Sequence, residues 1–297
     1  MGLLAWASEQ FVIGASHVAT GLRVSAVLIG AVVIGFGTSL PELLVTILAA
    51  ADGAADIALG NVVGSNIANL TLVLGAAAVL TPIAVAAPTV RREALVSLGA
   101  VLVLAIALQA GVGRIEGAIL MALMVAALWF LVASEPDKGP RKRKAEVENL
   151  GRGLPREAGR TIVGLGGTLA GAQLLVIGAR GIAETAGLSE GFVGLTIVAV
   201  GTSLPEFFAA IQSGRRGQTD LILGNVLGSN IFNSLGIAGL AMLIDPGQVA
   251  SNVAQTGAIA MSVIAIATFV MMARGRIGRI EGAMLLIAFV VLVPLLQ

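Results

Sequence analysis

Two acidic residues, Glu42 and Glu206, each close a GTSLPE segment (Gly37 to Glu42 and Gly201 to Glu206) deep inside an apolar stretch, and no Lys or Arg lies deep in any such stretch. A charge at membrane depth costs roughly 2.5–3.5 kcal/mol on insertion scales, so it normally has a partner or a function. The chain supplies no basic partner. Either the carboxyls are protonated, or a cation from outside the sequence sits between them, and carboxylate oxygen suits hard ions such as Ca²⁺ and Na⁺.

The neighbours of each Glu extend the oxygen inventory. Pro41 and Pro205 lack an N–H, and their rings clash with the carbonyls four residues back, Gly37 and Gly201. Each span is therefore expected to break or kink there, leaving carbonyls free beside the Glu, which membrane depth tolerates only where backbone lines a cavity or is buried in protein. Thr38 and Glu42, like Thr202 and Glu206, are four residues apart and share a helical face. Downstream, Asn61, Ser65 and Asn69 recur every four residues as an oxygen-bearing seam, repeated by Asn225, Ser229 and Asn233. Together these groups could meet the roughly six to eight oxygens that Ca²⁺ takes.

A plain kink with a protonated acid would explain one Pro-Glu pair, but two at equal spacing argue against it. Gly60 with Gly64, and Gly224 with Gly228, have the small-xxx-small spacing of closely packed helices, a packing device rather than an ion contact. Asp56 and Asp220 are expected to cap the spans that follow them, and His17 to sit at the interface.

These residues need a scaffold that is mostly lipid-facing. Of 297 residues 57% are hydrophobic and only 12% charged, and the mean hydropathy is +0.98, outside the range of soluble domains. Cysteine is absent, which excludes disulfides, thiolate catalysis and zinc-thiolate sites, and a single His leaves no imidazole cluster. The first ten residues lack a basic region and a cleavage site, so no removable signal peptide is expected. Ten apolar segments are long enough to cross about 30 Å of hydrocarbon. They fall near 3–21, 25–50, 57–81, 93–111, 114–133, 161–183, 190–212, 219–244, 252–273 and 277–296.

The hydrophilic stretch 134–160 carries eight of the eighteen Lys/Arg, including the run Arg141 to Lys144, which suits anionic lipid. With that stretch cytoplasmic and both termini outside, sixteen of the eighteen basic residues fall on the cytoplasmic face, and only Arg114 and Arg180 on the other. The chain is also duplicated. Residues 37–75 align without a gap on 201–239 at a shift of 164, and 18 residues after each Glu stands GNVxGSNIxN. Arg114 to Gly117 matches Arg279 to Gly282 at a shift of 165. Each unit has five spans, and an odd number inverts the second copy, an arrangement characteristic of alternating-access transporters with a midplane site. The expected fold is all-α and polytopic: a first five-helix repeat over 1–133 with motifs at 35–75, a basic cytoplasmic loop over 134–160, and an inverted repeat over 161–297 with motifs at 199–239.

The paired GTSLPE and GN-x-x-GSN-I-x-N segments resemble the duplicated repeats of the calcium/cation antiporter superfamily, in particular prokaryotic sodium/calcium exchangers, over nearly the whole chain. The resemblance implies ten helices with discontinuous core helices, and a Ca²⁺ site clustered with Na⁺ sites at the middle. It makes Glu42 and Glu206 central ligands, completed by Thr38, Ser39, Thr202, Ser203, Ser65, Ser229, Asn69, Asn233 and the carbonyls near Gly35 and Ala199. Some exchangers carry Asp at the second position of the Asn69/Asn233 pair. This chain has Asn at both, which leaves Na⁺, H⁺ or K⁺ open as the coupling ion.

The implied activity is secondary antiport of Na⁺ against Ca²⁺, with H⁺/Ca²⁺ or K⁺-dependent exchange as the alternative. A passive channel would need a pore ring that the sequence does not indicate. An ATP-driven pump is disfavoured, since no GxxxxGK[ST] loop occurs. No enzymatic role, cofactor or nucleic-acid partner is expected. The partners are the two ions and membrane lipid, a monomer suffices, and a central stretch of about 27 residues leaves no room for large regulatory domains.

Overall fold

The computed structural model of the protein describes residues 2–22, 24–134, 153–185, 199–247 and 252–292. The run Arg141 to Lys144, the start of the seventh expected span and the last residues of the tenth lie outside them. The described chain is helical except for one two-residue strand pair and short turns. In order come α1 (Gly2–Leu22), a broken helix α2a (Ala26–Thr38) and α2b (Leu40–Ala51), α3 (Ala55–Leu80), α4 (Ala87–Ala110) and α5 (Arg114–Ala133). The second half contributes α6 (Leu154–Thr185), α7a (Ala199–Thr202), α7b (Leu204–Arg215), α8 (Thr219–Ile244), α9 (Asn252–Gly257 running into Ala258–Ala273) and α10 (Arg279–Leu292). Six of these helices are long and apolar enough to span a membrane, and the bent pair α2a/α2b adds a seventh.

Two expected boundaries move. Helix α6 begins at Leu154 rather than 161, so the basic stretch ends earlier than 160. Pro155 suits a first helical turn, where its missing N–H is not needed. The charges of that turn also find partners on α1: His17 Nδ1 lies 3.0 Å from Glu157 Oε2, and Arg160 donates to Gln10 Oε1 at 2.9 and 2.7 Å. Helix α4 begins at Ala87 rather than 93, and a π turn over Val90–Ala94 draws Arg91, Arg92 and Glu93 into it. Asp56 and Asp220 stand inside the first turns of α3 and α8 instead of capping them, because Ala54 and Gln218 hold the cap positions. Acidic side chains there still complement the positive helix end.

Helices α3 and α8, which carry the GNVxGSNIxN motifs, form the interior. Of their apolar windows 78% and 83% are buried, against 22% for α5, so the motif helices are enclosed and α5 faces outward. Leu59, Ile67 and Leu74 of α3 pack with Ile222, Leu223 and Val226 of α8 and with Leu104 of α4 in one core.

Packing repeats across the two halves. Gly75 of α3 lies against Gly282 of α10, and the matching Gly239 of α8 lies against Gly117 of α5. Loops also gather on two faces. Strand β1 (Ile83–Ala84) pairs antiparallel with β2 (Arg276–Ile277), with Ile83 opposite Ile277, and Thr81 donates to the Gly214 carbonyl at 3.0 Å. Arg114 reaches the Leu243 carbonyl at 3.4 Å on the other face.

Candidate functional site

Each GTSLPE segment interrupts a helix at its Ser. Ser39 has φ −82° and ψ 9°, outside helical geometry, and α2a and α2b meet there at 46°. Ser203 repeats the break at φ −87° and ψ 6°. Pro41 and Pro205 fall in the first turns of α2b and α7b, so the proline that breaks one helix also starts the next. Glu42 and Glu206 follow directly, 1% and 0% exposed, at the positive ends of those helices.

The two breaks face each other and exchange hydrogen bonds. Ser203 Oγ donates to Glu42 Oε1 at 3.0 Å, and Ser39 Oγ donates to Glu206 Oε1 at 2.9 Å. Thr38 and Thr202 are buried beside the breaks, 0% and 7% exposed, and Thr38 Oγ1 donates to the Ile34 carbonyl of its own helix at 2.9 Å. Each carboxylate takes a serine hydroxyl from the other half of the chain. Neither has a basic partner among the described residues, and Oε2 of each is buried without a hydrogen bond.

Around this pair the expected ligands divide by role. Gly35 ends a π turn over Gly30–Gly35, and its carbonyl accepts from Ser229 Oγ at 3.2 Å, which ties α2a to α8 beside the carboxylates. Ser65 and Ser229 are buried, 3% and 0% exposed. Ala199 opens the single turn α7a before Ser203, in the same relation to Glu206 as Gly35 to Glu42.

Regular helix carries the four-residue seam over Ala55–Ala68 and Thr219–Ile231, and π turns begin at its last members, at Asn69 and at Phe232 beside Asn233. Such bulges are frequent at functional sites. The first members of the seam, Asn61 and Asn225, serve the backbone of the glutamate helices. Asn61 Nδ2 donates to the Glu42 carbonyl at 3.3 Å, and Asn225 Nδ2 to the Glu206 carbonyl at 3.1 Å. Asn225 Oδ1 also accepts from Thr38 Oγ1 at 3.3 Å.

Asn69 and Asn233 keep both side-chain polar atoms buried and unpaired. Two further amides, off the seam, share that property. Asn230 has both atoms unpaired, and Asn66 leaves Oδ1 unpaired while Nδ2 donates to Ser234 Oγ at 3.0 Å. With the two Glu Oε2 atoms this makes nine orphaned polar atoms. Each costs about 1–3 kcal/mol if left so, which favours a site that takes up ions or water. Asn66 and Asn230 were legible as identical members of the duplicated motif, but four-residue spacing alone passes over them. Glu93 was passed over too. It is 2% exposed, and Arg92 lies 3.4 Å from it, so unlike Glu42 and Glu206 it carries its own counter-charge.

Comparison with known proteins agrees with this geometry. The family model for the sodium/calcium exchanger protein matches residues 1–133 and 158–296. A protein of Alkalimonas amylolytica named as an antiporter, CaxA, is 40% identical over 97% of this chain and 93% of its own length. The sodium/calcium exchanger MaX1 of Methanosarcina acetivorans is 30% identical over 95% of this chain and 92% of its own. A solved structure of the sodium-calcium exchanger NCX_Mj, soaked with 10 mM Na⁺ and zero Ca²⁺, superposes with a TM-score of 0.89 at 31% identity, covering 99% of this chain and 95% of that one. An enclosed pair of carboxylates served by serines from opposite halves, on a fold shared along nearly its full length with such proteins, makes this chain a membrane-embedded member of the sodium/calcium exchanger family of cation antiporters.

Proposed function

We propose that the protein exchanges Na⁺ for Ca²⁺ by alternating access, with both ions bound between two inverted five-helix units. The observation that carries this reading is the reciprocal pair Glu42–Ser203 and Glu206–Ser39, buried and without basic partners among the described residues. Glu42 and Glu206 supply the charge. Ser39, Ser203, Thr38, Thr202, Ser65 and Ser229 supply hydroxyls, Gly35 and Ala199 carbonyls, and Asn69 and Asn233 neutral amide oxygens. Hydroxyls and carbonyls suit Na⁺, while two carboxylates within reach of one point suit Ca²⁺.

Shared ligands make the ions competitors. In detergent-solubilised protein, Na⁺ is expected to weaken Ca²⁺ binding measured by calorimetry, while choline at equal ionic strength does not. Ca²⁺ affinity indifferent to Na⁺ would remove the basis for coupling.

The neutral amides at both 69 and 233 favour a second reading, H⁺/Ca²⁺ exchange, since they leave two carboxylates as the site's only formal charges among the described residues. Potassium dependence would enter the same site in place of one Na⁺.

Five spans per unit, sixteen basic residues on one face and reciprocal glycine contacts support ten spans in a plasma membrane, with termini outside and the basic stretch cytoplasmic. The absence of Cys makes this directly testable. Single Cys at Ala54 and at Thr219, beside the starts of α3 and α8, should react with impermeant maleimide from opposite sides. Labelling from the same side would exclude the inversion.

A further inference from the structure

Behind the carboxylates, on the outer side of the same helices, a cavity of about 540 Å³ opens between α2, α5 and α8. All thirteen lining residues are apolar or Gly. Its wall runs on α8 from Gly228 to Leu240 and on α5 from Met121 to Leu131. Twelve helical residues rise about 18 Å, so the cavity is a long slot parallel to the helices rather than a round pocket. One end carries net positive charge: Arg92 is held there by Glu93 at 3.4 Å and by the Leu131 carbonyl at 2.9 Å, and Arg91 beside it is exposed.

We propose that this slot holds one acyl chain of a membrane glycerophospholipid whose phosphate lies at the Arg91/Arg92 end. Slot and chain agree in length, in lack of polar partners and in direction, since acyl chains and spanning helices both run across the bilayer. The basic end complements a phosphate. A polar solute would gain nothing from walls that offer no donor or acceptor.

The slot adjoins the ion site through shared helices. Phe36 stands next to Gly35, Gly228 next to Ser229, Phe232 next to Asn233 and Leu43 next to Glu42, with the first of each pair lining the slot. Phe36 and Phe232 both line it, with ring centroids 4.5 Å apart. A bound chain therefore buttresses the backbone that presents the ion ligands.

The test is native mass spectrometry of protein purified from membranes and stripped in mild detergent. Wild type should retain one phospholipid per chain, identified by its mass. Leu128→Trp fills the slot and should lower that occupancy at least tenfold. Val125→Trp, one helical turn away and 66% exposed, places the same ring in bulk lipid and should leave it unchanged. Should Leu128→Trp fail to fold, Leu240→Trp fills the other end and serves equally. Wild type free of lipid, a retained mass that is detergent or fatty acid, or a filled variant that still keeps its phospholipid would each overturn the proposal.

Discussion

Glu42→Gln and Glu206→Gln should each weaken Ca²⁺ binding by at least a hundredfold while leaving the protein folded. Gln keeps the size of the side chain and an oxygen that can still accept from Ser203 or Ser39, so the cross-half contacts of 3.0 and 2.9 Å survive. What is lost is one of two formal charges facing a divalent ion in a site closed to bulk water. Removing one partner of a buried charge pair costs about 3–5 kcal/mol, and about 1.4 kcal/mol is tenfold in Kd. Calorimetric titration of Ca²⁺ into the purified variants reads the effect directly. Wild-type affinity in either variant would show that its carboxylate does not touch the ion.

Gly228→Val should separate α2a from α8 and lower both thermal stability and Ca²⁺ binding. A Cβ built on Gly228 falls inside contact distance of the Cα and carbonyl oxygen of Ala31, and backbone atoms cannot rotate away as a side-chain end would. Overpacking typically costs about 1–3 kcal/mol. Here it also pulls apart the Ser229–Gly35 contact of 3.2 Å, which lies one residue away at the ion site. Gly99→Ala is the control: no atom stands within 4 Å of its Cβ, and Ala is the better helix former by about 1 kcal/mol. Melting in detergent with and without Ca²⁺ distinguishes them. A Gly228→Val protein that melts and binds like wild type would mean the two helices are not in contact.

Most of this site was legible because duplication makes chemistry visible in a sequence. An unpaired Glu could be incidental, whereas two in the same six-residue frame, each followed at the same distance by the same Asn/Ser pattern, mark the groups that must converge. The structure adds what one-dimensional spacing does not encode, namely which hydroxyl serves which carboxylate. Ser39 is three residues from Glu42, yet it donates to Glu206, because the helix breaks at the serine and turns that side chain across to the other half.

The same limit explains the asparagines. Four-residue spacing picks out a single helix face, and Asn66 and Asn230, one residue past Ser65 and Ser229, lie off it yet fall among the orphaned amides, while Asn61 and Asn225 on that face are spent on backbone carbonyls. The close helix approach foreseen for both Gly-xxx-Gly pairs is seen at Gly224 and Gly228 against Val27, Gly30 and Ala31, whereas a Cβ on Gly64 would meet no atom of another described helix within 4 Å. Helix starts were displaced where charged residues found tertiary partners, as Glu157 and Arg160 did on α1, since hydropathy places such residues in loops without knowing what lies beside them.

Exchange itself is tested by ⁴⁵Ca²⁺ flux into proteoliposomes that contain only this protein, comparing an outward Na⁺ gradient, an outward H⁺ gradient and no gradient. Coupled Na⁺/Ca²⁺ antiport through the paired glutamates predicts Ca²⁺ accumulation driven by the Na⁺ gradient, abolished in the Glu42→Gln and Glu206→Gln proteins and absent without a gradient. Accumulation driven by the H⁺ gradient alone, or equilibration of Ca²⁺ at the same rate with no gradient at all, would contradict it.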